Sequence, residues 1–369
     1  MTILKEINDI GFKLGFRLKD RLARLILKLK INRKLHVKFL KGIPPMDLAY
    51  KREVWAYWNA FTTRFDINWH RFYANQTGVE DKKFIPNDLY FTVILPYMNR
   101  MNLSYGLRDK NYIALMFPEL AQPRTIVRRV NGEWLDKNYG ILDRERSIQF
   151  ILNEPAIIIK PTLSTGGGSG ILFWKSEEGV KSLEKKLDEP GKDLLVQALI
   201  DQHESLARLH PASVNTVRVM SFLQHGQVHI LSSVLRMGIN DSRVDNSQMG
   251  GISAGILASG QLKEIAYTKE GYAYDRHPQG GRFEDCIIPN FQDILDLLCA
   301  MHARIAHFRL MSWDIAIAKD GSPILVEPNY WRGSIDLHQL SNGPLFGELT
   351  DEVLEEVFGK HLHESIKAV

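Results

Sequence analysis

Cysteine is nearly absent from this chain: Cys286 and Cys299 are the two among 369 residues. A disulfide framework and a four-thiolate zinc site are thereby excluded, and a reducing, cytoplasmic setting is the expectation. No apolar run reaches the length needed to span a bilayer, and no h-region with a small-residue cleavage site is present. An internal repeat and a low-complexity segment are also missing. His203-Glu204 lacks a second histidine four residues after the first, which excludes the zinc-protease pattern. Serine-hydrolase and protein-kinase signatures do not occur. His302 and His307 lie in an amphipathic stretch with no matching carboxylate set.

What is present begins with an uneven charge. Residues 1–42 hold twelve Lys and Arg against three acids, a charge of +9, so with +4 for the whole chain the remainder carries −5. The basic character belongs to an appendage, and the mildly acidic body argues against nucleic-acid binding. Within the appendage Ile3, Leu4, Ile7, Ile10, Leu14, Leu18, Leu22, Leu25 and Leu29 recur at spacings of three and four, predicting an amphipathic helix. Two readings stand open. Its stripe packs on the protein's own core, or it meets a membrane surface or a partner.

Residues 45–106 predict helices rich in aromatics. Strand-like runs follow at 124–130, 156–161, 170–174, 193–200, 216–223 and 227–238, with helical patterns at 145–153, 176–188 and 291–309 and a final helix near 349–366. Mixed α+β is the fold class, with hairpins more evident than βαβ alternation.

Two stretches carry chemistry. In IIIKPTLSTGGGSGILFW (157–174), a strand ends at Lys160-Pro161 and a loop with Gly166, Gly167, Gly168 and Gly170 leads into a second strand. Backbone N–H groups of such a loop approach phosphate oxygens, although neither a P-loop nor a dinucleotide fingerprint is present. A plain mobile hairpin is the alternative. In WDIAIAKDGSPILVEPN (313–329), Asp320-Gly321 predicts a hairpin whose two-residue loop sets Asp314 opposite Glu327. Facing like charges are destabilising. Asn329 shares the face of Glu327, so two carboxylates and an amide oxygen converge as hard ligands suited to Mg²⁺, which would remove the repulsion. Pro328 cannot donate to a ladder, predicting a free or edge strand there.

The order of lysine, Lys160-Pro161, glycine loop, linker strand and Asp–x12–Glu–x–Asn resembles the ATP-grasp fold, two α+β lobes gripping ATP. D-alanine–D-alanine ligase shares that carboxylate spacing. HPASVNTVRV (210–219), LRMGINDSRVDNSQMGGISAGI (235–256) and HPQGGRFE (277–284) are similar to the sugar-transfer-associated ATP-grasp subfamily, over residues 60–350. Outside that span the pattern gives a basic helical extension (1–45) and a C-terminal helix (351–369), with a helical cap (46–106) ahead of the lobes; the resemblance implies a first lobe with the glycine loop (107–198) and a second lobe with the metal and substrate site (199–350). By position it implies phosphate-contacting Lys110 and Lys160, a closing loop at Gly166, Gly167, Gly168 and Gly170, and an adenine-binding hinge at Gln197, Ala198 and Leu199. Gln197 departs from the usual glutamate. Glu204 would take the ribose hydroxyls, and Asp314, Glu327 and Asn329 one or two Mg²⁺. Arg218, Arg236 and Asn215 would serve a γ-phosphate or acyl phosphate, with Asp245, Asn246, Gly250, Gly251 and His277 near the substrate, His277 being a structural or substrate contact.

The implied activity is ATP-dependent carboxylate–amine ligation through an acyl phosphate, on a sugar acid in cell-surface polysaccharide assembly. A sugar kinase on the same ATP site and a non-catalytic membrane-recruited scaffold are the alternatives. The implied partners are a carboxylate and an amine or amino acid, with membrane or glycosyltransferase contact through residues 1–42, at the inner face of the membrane.

Overall fold

The computed structural model describes residues 19–163, 168–330 and 333–366. The helical stripe at Ile3–Leu18 and the loop glycines Gly166 and Gly167 therefore lie outside the described residues. The chain divides into two compact units, Met1–Met98 with Asn342–Val369, and Asn99–Ser341. The C-terminal helix, expected as a segment of its own, groups with the N-terminal region, and the break falls at residue 98 instead of 106.

In the first unit, aromatic packing dominates. The helix Leu48–Trp58 starts at Asp47, whose carboxylate accepts from the amides of Ala49 and Tyr50 at 2.8 and 3.1 Å. This cap satisfies donors that a helix start leaves open. The helix buries Tyr50, Val54 and Trp58 at spacings of four, and the helix Asn68–Thr77 buries Trp69, Phe72 and Tyr73. Tyr73 stacks on Phe84 at 4.9 Å, and the Trp58 indole donates to the Lys82 carbonyl at 2.8 Å. The last helix, Thr350–Ile366, is tied in through Asp351, which meets Lys83 at 2.9 Å and takes the Tyr57 hydroxyl.

The second unit contains two antiparallel sheets, as mixed α+β with hairpins predicts. The first holds β1 (Thr125–Val130), β2 (Glu133–Asp136), β3 (Ile141–Leu142), β4 (Ala156–Pro161), β5 (Leu172–Lys175) and β6 (Leu194–Ala198), in the order β3-β2-β1-β6-β4-β5. Helices Arg144–Leu152 and Gly179–Asp188 bury Ile148, Ile151, Leu183 and Leu187 against it. The second holds β7 (Thr216–Gln224), β8 (Gln227–Met237), β9 (Ile252–Ile256), β10 (Leu262–Tyr267), β11 (Ala273–Tyr274), β12 (Leu310–Ile317) and β13 (Pro323–Asn329), in the order β11-β10-β9-β8-β7-β12-β13.

Alternation gives this second sheet two unlike faces. Val217, Val219, Leu235, Met237, Trp313 and Ile315 point into a core closed by the helix Phe291–Ala303. The opposite face carries Arg218, Arg236, Asp314 and Ser312, all on neighbouring strands. One face folds the sheet, leaving the other for chemistry. Asn99 clips the strand ends beside that face, accepting from the Leu310 amide and donating to the carbonyls of Leu310 and Tyr330.

Candidate active site

Asp314 does lie opposite Glu327, but the chain reaches that register by a different route. The hairpin loop holds three residues, Lys319-Asp320-Gly321, closed by the Ala318 amide on the Ser322 carbonyl at 2.8 Å, with Gly321 at φ +85°. That pairing slips the register by one, giving Ile315 opposite Leu325. A bulge at Val326 then takes up the extra residue and restores Asp314 to Glu327. β13 is an edge strand, as Pro328 requires.

The repulsion between the two acids is met by side chains. Asp314 is 5% exposed and held by arginine. Arg218 grips it bidentately, Nε to Oδ1 and Nη2 to Oδ2, both at 2.6 Å. Arg236 adds Nη1 to Oδ2 at 3.1 Å. Burial opposes the Asp314 charge, but Arg218 and Arg236 outweigh it and hold the carboxyl below its usual range. Burial likewise opposes the Arg218 charge, and Asp314 leaves it raised. Glu327 faces Lys110, with Nζ to Oε1 at 3.2 Å.

Lys110 and Lys160 line one cleft whose walls come from both sheets: Gln197 from one, Leu325 and Val326 from the other. Lys160 donates to the Gln197 amide oxygen at 3.1 Å, so that oxygen, expected on the adenine amine, already has a donor. Burial, with Lys110 beside it, lowers the Lys160 pKa to about 8. Such a lysine is short of an anion. Leu199 is 42% exposed beyond the end of β6, and Ala198 is half-buried with its amide bonded to the Arg124 carbonyl. Glu204 does not line the pocket; its side chain is exposed and pairs with Arg208 at 3.2 Å.

The loop 238–251 borders the same face. Asp245 accepts from Arg236 at 3.3 Å and from the Thr216 hydroxyl, so Arg236 joins Asp245 to Asp314. Gly168 packs near Val244, and the Arg243 guanidinium lies 3.7 Å above the Phe173 ring, which brings this loop to the glycine hairpin. Asn246 is buried and its backbone carbonyl accepts from Gly251 at 3.1 Å. Gly250 has φ +90°. A Cβ on Gly251 would stand 2.8 Å from the Met237 carbonyl and 2.9 Å from the Asp245 carbonyl. Both are backbone atoms, so Gly251→Ala is expected to destabilise by roughly 1–3 kcal/mol, read by urea unfolding, with loss of the Asp245–Arg236 contact.

Two candidates turn out to be committed inside the chain. Asn215 is fully buried; its amide nitrogen donates to the carbonyls of Leu206 and His210, both at 2.9 Å. It braces a turn and does not reach a reacting group. His277 is also fully buried, with Nε2 on the Gly238 carbonyl at 2.8 Å and Nδ1 accepting from the Gln279 amide. Of the two roles open to it, the structural one fits: it anchors the start of the loop.

Other residues the motifs did not flag line this region. Arg128 on β1 is buried in the pocket wall, donating to the Asn111 carbonyl at 3.0 Å and stacking on Tyr139. Arg128-Arg129 inside a buried strand was the available signal, since charge there demands a partner. On the polar face of the second sheet, Ser253 Oγ, Ser312 Oγ, Asn329 Nδ2 and His338 Nε2 are buried with no hydrogen-bond partner among the described residues. The other His338 nitrogen shares a 2.8 Å hydrogen bond with Ser232, and burial holds this imidazole near pKa 3, hence neutral. Each unpaired buried group costs about 1–3 kcal/mol, so a cluster around two arginines is fit for a polar solute.

The metal expectation can be tested against these side chains. Among the described residues, no three His, Cys, Asp or Glu side chains form a cluster able to hold a metal ion. Asp314, Glu327 and Asn329 do share one face, and Glu327 is one-third exposed. Two carboxylates and an amide are an incomplete set that suits Mg²⁺ completed by phosphate and water. Glu327 and Asn329 carry oxygen donors of the kind Mg²⁺ takes, and Asp314 is bonded through both oxygens to Arg218.

The sequence profile of the sugar-transfer-associated ATP-grasp family matches residues 98–353, more than half of the chain. The protein therefore belongs to that family and has the ATP-grasp fold. Similar solved structures include the D-cycloserine synthetase DcsG, at 14% identity and TM-score 0.43, covering 69% of this chain and 73% of that one. D-alanyl-alanine synthetase A from Vibrio cholerae shows 12% identity and TM-score 0.40, covering 69% and 65%. The L-amino acid ligase from Bacillus licheniformis shows 14% and 0.38, covering 68% and 47%. The chain thus spans less than two thirds of the latter two. No curated protein sequence gives a significant match.

Proposed function

We propose that this protein is an ATP- and Mg²⁺-dependent carboxylate–amine ligase acting on a sugar acid. The observation that carries this reading is the pairing of Asp314 with Arg218 and Arg236, beside Glu327–Lys110 and the anion-deficient Lys160. Lys110 and Lys160 would hold ATP phosphates. Asp314, Glu327 and Asn329 would hold Mg²⁺, which when bound supplies charge neutralisation to the β- and γ-phosphates. Arg218 and Arg236 would orient the substrate carboxylate and stabilise charge on the transferred phosphoryl oxygens. An oxygen of that carboxylate attacks the γ-phosphorus as the bond to ADP breaks. The amine nitrogen then attacks the acyl carbon, phosphate departs, the nitrogen loses a proton and an amide remains. The hairpin around Gly168 and Gly170 would exclude water, which would otherwise destroy the acyl phosphate.

The unpaired polar atoms of Ser253, Ser312, Asn329 and His338 support a hydroxylated acid. Lys110, Lys160, Gln197, the strand end at Ala198–Leu199 and the glycine loop form the proposed nucleotide site, with Glu204 left as the weakest member. Asp245, Asn246, Gly250 and Gly251 would shape the acceptor site. The basic segment 1–42 suits an enzyme that meets glycan intermediates at a membrane, beside the glycosyltransferases that build them; among the described residues no helix is long and apolar enough to cross one.

The test is an ADP-release screen of sugar acids against amino acids and small amines. ADP and phosphate should form only when acid and amine are both present, with a product mass equal to their sum less water. A phosphorylated sugar formed without amine would instead establish a kinase. No nucleotide binding at all would leave a scaffold.

A further inference from the structure

The helix at 19–34 answers the question that its periodicity left open, because its apolar row faces outward. Leu22, Leu25, Ile26 and Leu29 are 57, 54, 45 and 62% exposed. The inward row is polar at this point: Lys28 Nζ reaches the Arg64 carbonyl and lies 3.4 Å from Asp88, whose side chain is fully buried. About two turns on, His36 meets Asp66 at 2.7 Å, and Leu35 and Phe39 are buried. The ion pair fixes the roll of the helix and so keeps the apolar row in water.

At 3.6 residues per turn the four apolar side chains span roughly 100° of the circumference. Lys19 and Lys30 flank the row on one margin and Arg21 on the other, with Arg33 at its end. Residues 19–42 contain nine basic side chains and one acid, a charge of +8. A second copy of the helix would bring +8 against +8, so self-association through this face is opposed by its own charge. An anionic bilayer supplies what both features need, acyl chains for the leucines and headgroup phosphates for the lysines and arginines. We propose that this face docks on an anionic lipid surface, with the helix lying in the interface plane. The proposal does not depend on the ligase reading.

The test is co-sedimentation of the full chain with vesicles of phosphatidylcholine alone, and of three parts phosphatidylcholine to one part phosphatidylglycerol. Binding to the anionic vesicles is expected to exceed binding to the neutral ones at least about tenfold, since each basic side chain near the surface contributes about fivefold. It should fall as salt shortens the screening length from about 10 Å to about 3 Å. Leu25→Glu/Leu29→Glu should abolish it with ATP binding and circular dichroism unchanged, since both positions are exposed. Arg21→Glu/Lys30→Glu should weaken it while leaving the leucines in place. No association, equal binding to both vesicles, or full binding by Leu25→Glu/Leu29→Glu would overturn the proposal. So would a dimer, seen by light scattering, that the leucine variant dissolves while vesicles bind neither form.

Discussion

Asp314→Asn is expected to abolish turnover and lower stability together, whereas Glu327→Gln is expected to abolish turnover alone. Asp314 is buried and holds two guanidinium groups. Removing its charge leaves Arg218 without its carboxylate and Arg236 with Asp245 alone, a change worth about 3–5 kcal/mol in a buried pair. Because its folded-state pKa lies below the ordinary 3.8, this contribution is complete above that value and disappears as pH falls through the folded pKa. Acid unfolding of the variant should lack that component. Glu327 is one-third exposed and paired with one lysine, so its loss should alter stability by less than about 1 kcal/mol. Its effect on the reaction should still be roughly a hundredfold or more if it holds charge at the transferring phosphoryl group. Urea unfolding beside ADP release separates the two. Full activity in both variants would remove the site assignment.

ATP affinity is expected to fall as pH rises through about 8. Lys160 is pushed down to that value mainly by burial, with Lys110 adding repulsion. Phosphate needs the protonated lysine, so above pH 8 each further unit reduces affinity by up to about tenfold. Stability moves the other way. The unfolded chain carries Lys160 at its usual 10.5 and binds more protons between about 8 and 10.5, so folding gains from this group as pH rises across that window. Opposite trends distinguish the lysine from general alkaline unfolding. Lys160→Met should weaken ATP binding at least about tenfold and erase the pH step. A flat calorimetric profile in the original chain would contradict the role.

Much of the fold was legible because its signals are local. Alternating apolar runs located β1, β4, β6, β7, β8 and the closing hairpin, and Pro328 correctly marked an edge. The hairpin shows where locality ends. Asp-Gly signals a turn with a left-handed glycine, but two- and three-residue loops both use one, and only edge-strand geometry produced the bulge at Val326. Facing acids were visible in the spacing; their neutralisers were not, since Arg218 and Arg236 sit 96 and 78 residues away and arrive through the order β8-β7-β12. Periodicity gave the leucine row at 19–34 but not its outward direction, which Asp88 sets from a distant turn. Asn215 and His277 carried the right chemistry for a site, yet burial spent it on backbone carbonyls. Ser253, Ser312 and His338 had no motif to announce them.

Calorimetric titration of ATP, with and without Mg²⁺, into the original chain and Glu327→Gln addresses the central claim most directly. ATP alone should bind both proteins through the two lysines, and Mg²⁺ should tighten binding in the original chain only. Indifference to Mg²⁺ in the original chain, or equal tightening in Glu327→Gln, would contradict the account.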